Sequence, residues 1–178
     1  SVAAGTPIAA FEEALGSATS IVRAMPNTPA AIGQGITALI GNRAASTDDV
    51  DLADSLMSAV GQTVRLDSEG QMDAVTGVSG SGPAYVFHMI ETLAKAGETQ
   101  GLAPELAMTL AKATVAGAGA LAGAAKEDPT LLRINVTSPN GTTQAALNVL
   151  MDPENGFPAL LPRAVAAATN RSKELSRG

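Results

Sequence analysis

The sequence predicts an α/β segment over residues 1–67 joined to an all-α segment over residues 68–178. Three observations carry this. Before Asp67, short β-rich runs alternate with helical periods, which implies a parallel or mixed sheet with crossovers. After it, the apolar periods are helical, with proline near each start and glycine near several ends. Throughout, the apolar content is small-sided. The chain is 46% hydrophobic but carries 18 Gly, three Phe, one Tyr and no Trp. Small side chains let helix backbones approach closely, so the composition favours tight helix packing over an aromatic core.

The elements follow in order. Pro7 to Gly16 reads as a short helix, with Ile8, Phe11 and Leu15 apolar and Gly16 as its stop. Ile21 to Met25 is a short strand ended by Pro26 and Pro29. Residues 35–40 form a β-rich apolar run bounded by glycines. Asp48 to Val60 is a helix capped by Ser46, Thr47 or Asp48 and stopped by Gly61. Thr63 to Leu66 is a further strand. The boundary falls near Asp67–Gln71. Helices are then predicted over Pro83–Gln100, Pro104–Ala125, Pro139–Met151 and Pro158–Leu175. Ser1–Ala4 resembles the end of a strand, and so few short strands make a poor sheet alone. Residues 1–67 are therefore expected to be the second half of a larger α/β domain that begins upstream.

Charge and composition exclude several classes. Eleven Lys and Arg against 17 Asp and Glu give a net charge of −6, with no basic stripe for a nucleic-acid backbone. The absence of Cys removes disulfides, Cys-ligated zinc and iron–sulfur clusters, and a single His removes a His-rich metal site, so no metal is expected. The N-terminal residues lack the charged and apolar regions of a signal peptide. A soluble, cytoplasmic protein without a membrane partner is expected. Leu106–Ala125 has the length of a membrane span, but its Ala, Gly and Thr content reads better as a buried helix of a soluble protein.

Three segments could carry chemistry. Ser138-Pro139-Asn140-Gly141-Thr142-Thr143 enters a helix, where free N–H groups and the helix dipole favour an anion such as a carboxylate. An ordinary helix cap stays open as the alternative. Gly77–Pro83 is a glycine-rich helix entry that fits neither a P-loop nor a dinucleotide fingerprint, and a close-packing turn would explain it equally. Met25-Pro26-Asn27-Thr28-Pro29 leaves a strand at its C-terminal end, the edge at which open α/β sheets bind ligands; a rigid Pro-bounded loop is the alternative. His88 alone supports no catalytic triad.

The order and spacing of Val22–Pro29, Asp73–Tyr85 and Asn135–Thr143 resemble the pyrroline-5-carboxylate reductase family across essentially the whole chain. The resemblance implies that residues 1–67 are the C-terminal half of a dinucleotide-binding Rossmann-type domain. It makes residues 68–178 a helical dimerisation and substrate-binding domain. It implies transfer of a hydride from NADPH or NADH to the imine carbon of 1-pyrroline-5-carboxylate, giving L-proline in the last step of proline synthesis. The assembly implied is a homodimer or a decamer of five dimers, with a site formed where the cofactor domain of one chain meets helices of the dimer. Ser138, Asn140, Gly141, Thr142 and Thr143 then hold the substrate, Thr143 lies near the imine nitrogen as the catalytic residue, and Met25, Pro26 and Asn27 border the nicotinamide. Two departures stand out. The family's glycine-rich pyrophosphate fingerprint does not occur in these 178 residues, so this chain alone is expected to be inactive, and Met151 replaces a usually polar residue. A non-catalytic dimerisation or binding module, and a related reductase of another imine or keto acid, are the competing readings.

Overall fold

The structure, a computed structural model, describes residues 1–176. They form two compact units. One joins residues 1–83 to residues 163–176, and the other is Ala84–Pro162.

The first unit contains α1 (Ile8–Leu15), β1 (Val22–Met25), β2 (Gly35–Gly41), α2 (Thr47–Ser58), β3 (Gly61–Arg65) and α3 (Met72–Val75). The sheet is mixed, as the strand–helix alternation predicts, with order β1-β2-β3. β1 runs antiparallel to β2 with Ala24 opposite Leu39, and β3 runs parallel to β2 with Val64 beside Ala38. The Ser1 amine donates to Val22 O and the Ala24 N–H to Ser1 O, both at 2.7 Å, which sets the first residues along the free side of β1. β2 is central, and it is the strand that is most deeply buried: Thr37, Ala38 and Leu39 are at most 1% exposed. Its continuous apolar run is the pattern of a strand covered on both faces. α2 packs across the sheet. Its start is a capping box, with Ser46 Oγ accepting from Asp49 N–H and Asp49 Oδ2 accepting from Ser46 N–H.

One buried charge organises this unit. Arg23, 4% exposed on β1, donates to Glu69 Oε1 at 2.6 Å. The same oxygen accepts the Ile8 N–H at 2.8 Å. α1 has no capping side chain of its own, so Glu69, 61 residues away, does that work while neutralising Arg23. The unit is completed by the end of α8 (Phe157–Leu175), where Ser172 Oγ donates to Asp73 Oδ1 at 2.6 Å.

The second unit holds most of α4 (Gly82–Thr99), then α5 (Pro104–Ala124), α6 (Pro129–Asn135), α7 (Thr142–Leu150) and the first residues of α8. Its core is small-sided: Ala94 meets Ala107 and Ala111, with Ile90 and Met108 packed beside them. Gly97 belongs to this close approach, since a Cβ there would sit 3.3 Å from that of Ala107.

Three expectations are corrected. α5 is not buried in this chain: Leu106, Leu110 and Leu121 are 47–56% exposed, because only the Ala107–Ala111 face meets α4. By length and composition it is also the one helix among the described residues able to cross a membrane. The helix expected from Pro139 begins at Thr142 instead, because Asn140 adopts a left-handed φ of 58° and Gly141 becomes the N-cap. α6 was not foreseen. Asp128 caps it by accepting from Thr130 and Leu131 N–H, and Pro129 opens it.

Candidate functional site

The first candidate region lies in the helical unit. Two residues past α6, Thr137 ties back to it: its Oγ1 donates to Arg133 O at 2.6 Å and its N–H donates to Ile134 O at 3.0 Å. The chain then makes a tight turn, closed by the Gly141 N–H donating to Ser138 O at 3.0 Å. Asn140 takes the left-handed position of that turn, a conformation that Asn tolerates better than most residues. Gly141 suits the turn for a different reason. A Cβ there would come within 2.3 Å of Ser138 Oγ and 3.1 Å of Ser138 O.

This turn delivers the chain into α7 with no capping side chain. The first bond into the helix is Ala145 N–H to Gly141 O, at 3.2 Å. The N–H groups of Thr142, Thr143 and Gln144 therefore have no acceptor among the described residues. They are parallel donors at the positive end of a helix dipole, the geometry that holds a carboxylate. Thr143 is half-buried, whereas Ser138, Asn140 and Thr142 are exposed. The turn and the helix start thus bring together Ser138, Asn140, Gly141, Thr142 and Thr143, and add Gln144 N–H, which the sequence pattern did not single out.

The second region lies in the sheet unit. β1 ends at Met25, and Pro26 and Asn27 leave its C-terminal edge, all three half-buried. The Asn27 side chain has partners within the chain. Its Oδ1 accepts the Ile36 N–H at 2.9 Å and its Nδ2 donates to Ser79 O at 3.2 Å. Ser79 belongs to a single π-helical turn, Thr76–Gly80. Such turns are rare and recur at functional sites. Gly80 lies under Met25, where a Cβ would meet Met25 Cε at 2.8 Å. Gly77 lies under α8, where a Cβ would meet Thr169 Oγ1 at 2.4 Å. Gly77 and Gly80 are thus close-packing residues in this chain, whereas a Cβ on Gly82 would meet nothing within 4 Å.

Other candidates resolve into structure. His88 is exposed on α4, with Nδ1 at 3.1 Å from Glu91 Oε2. Among the described residues no group of three or more His, Cys, Asp or Glu is placed to hold a metal. Asp54 accepts from Thr63 Oγ1 and Arg65, which hold its carboxyl below the usual range. An apolar groove of about 510 Å³ between α7 and the start of α8, lined by Leu147, Leu150, Met151, Phe157 and Leu161, offers little to a polar ligand.

Comparison with known proteins matches both regions. Residues 69–175 match the family described as pyrroline-5-carboxylate reductase dimerisation. The chain is 47% identical over 176 residues to the pyrroline-5-carboxylate reductase of Pseudomonas aeruginosa, covering 99% of this chain and 64% of that protein. It is 43% identical over 177 residues to that of Arabidopsis thaliana, covering 99% and 63%. Among solved structures, the reductase of Coxiella burnetii superposes with a TM-score of 0.93 at 42% identity, over 98% of this chain and 64% of that one. The Plasmodium falciparum enzyme with NADP bound gives 0.86 at 32% identity, over 98% and 66%. The chain thus spans 58–64% of the length of the first three curated relatives. With the family model covering more than half of its residues, the chain belongs to the pyrroline-5-carboxylate reductase dimerisation family.

Proposed function

We propose that this chain is the larger part of a reductase that converts 1-pyrroline-5-carboxylate to L-proline, the last step of proline biosynthesis. The observation that carries the reading is the start of α7: three acceptor-free N–H groups beside a half-buried threonine hydroxyl. The substrate has two polar features, a carboxylate and an imine nitrogen one carbon away from it. The N–H groups take the carboxylate. Thr143 Oγ1 then hydrogen-bonds the imine nitrogen, which gains a proton as the carbon beside it is reduced. A threonine hydroxyl is a weak acid, so its contribution is orientation, with water as the source of the proton. Ser138, Asn140, Gly141 and Thr142 shape the turn that aims the donors.

Reduced nicotinamide dinucleotide, NADPH or NADH, supplies the hydride when bound. Met25, Pro26 and Asn27 border its nicotinamide. Two observations support that placement: the loop leaves the C-terminal end of a strand, where open α/β sheets take ligands, and Asn27 holds it rigidly. In this assignment residues 1–67 belong to the cofactor domain and residues 68–178 to the dimerisation and substrate domain.

The same reading makes the protein a soluble, cytoplasmic homodimer or a decamer of five such dimers. α5 supports a partner copy over a membrane. Leu106, Leu110, Gly117 and Leu121 recur at spacings of four, seven and four along one exposed face. A Cβ on Gly117 would meet nothing within 4 Å in the single chain, so packing within this chain does not explain the glycine.

The test is turnover by the intact gene product that carries this chain. Consumption of NADPH with 1-pyrroline-5-carboxylate, matched by formation of L-proline, is the expected result. Oxidation with another imine or a keto acid in its place would reassign the substrate.

A further inference from the structure

We propose that Asn27 is a positioning residue and that the Thr76–Gly80 π-turn is the seat on which it fixes the cofactor-bordering loop. The Asn27 amide spends its oxygen on Ile36 N–H, at the start of β2, and one N–H on Ser79 O, in the π-turn. It therefore ties three separate stretches of chain, residues 25–27, 35–36 and 76–80, at a single side chain. The π-turn is closed by Ser81 N–H donating to Thr76 O at 2.8 Å, so the carbonyl that Asn27 uses belongs to a local structure with its own ladder. A second contact lies beside it: the end of the Met25 side chain packs over Gly80, where a Cβ would meet Met25 Cε at 2.8 Å. One polar and one apolar contact, two residues apart on the loop and adjacent on the turn, leave residues 25–27 little freedom. With its oxygen and one of its two N–H groups committed in this way, the asparagine acts on a ligand foremost through the backbone it holds.

The kinetic half of the test rests on the proposed reductase function, whereas the hydrogen-exchange half does not. In the intact gene product, Asn27→Ala is expected to speed amide exchange at Ile36 and at Ser81 together. Asn27→Asp keeps an acceptor for Ile36 N–H but turns a carboxylate toward Ser79 O. It is expected to leave Ile36 protected and to expose Ser81 alone. Gly80→Ala, which pushes Met25 aside without removing any polar group, is expected to raise KM for NADPH about tenfold or more. KM for the pyrroline substrate should move less than threefold in that variant. Unchanged Ser81 exchange in both Asn27 variants, or an unchanged KM for NADPH in Gly80→Ala, overturns the proposal. A wild-type protein that consumes no NADPH would defeat the reductase reading, and Ser81 exchange would still decide the role of Asn27.

Discussion

At the scale of single residues, α7 begins where it does because of one backbone angle. A pattern of Pro139 followed by an apolar period reads as a helix from Pro139, but Asn140 at φ 58° turns the chain and hands the N-cap to Gly141. The helix start was legible in this segment and its first residue was not, because a left-handed asparagine looks like any other asparagine in a string. Replacing Asn140 with Ala should destabilise the turn by about 1 kcal/mol, while Gly should be tolerated, as read by the thermal midpoint. Thr143 carries the chemical prediction. Thr143→Ala should lower kcat about 100-fold, and Thr143→Ser should restore most of it. Equal kcat in Thr143→Ala and wild type would remove the hydroxyl from the mechanism. Asn27 was legible as part of a strand-end loop, but its partners were not. They are 9 and 52 residues away, and no local pattern announces such bonds.

At the scale of elements, the strands and the long helices were legible from their apolar runs and periods and from the Pro and Gly that bound them. α6 was not, since seven residues give too short a period. Its only signal was the Asp128-Pro129 pair, a cap followed by a helix-opening proline. That cap predicts an acid response. The Leu131 and Thr130 N–H groups hold the Asp128 carboxyl below its usual range. A carboxyl lowered in the folded state stabilises above its unfolded pKa, and that stabilisation is lost as pH falls through the folded value. Helix α6 should therefore loosen below about pH 4, and Asp128→Asn should flatten that part of the stability profile. Glu69 is the costlier element to lose. Glu69→Ala leaves Arg23 buried without its partner and the first turn of α1 uncapped. A loss of about 2–3 kcal/mol in denaturant unfolding is expected, with Glu69 itself only partly buried.

At the scale of the molecule, the small-sided composition explains how the helical unit is built. Ala94, Ala107 and Ala111 make its core, and the leucines of α5 face outward. A chain whose apolar residues are so widely exposed is suited to burial against a second copy, which the dimerisation family to which it belongs also supports. Gly117→Leu should leave the folding of the single chain unaltered and should weaken the homodimer, read as a drop in sedimentation mass at low micromolar concentration. An unchanged mass would move the interface off this face of α5. The most direct test of the whole account follows the hydrogen itself. The intact gene product would be given 1-pyrroline-5-carboxylate and NADPH whose transferable hydrogen is deuterium. The account predicts L-proline with one deuterium on the former imine carbon. Proline without deuterium at that carbon, or no proline at all, would contradict it.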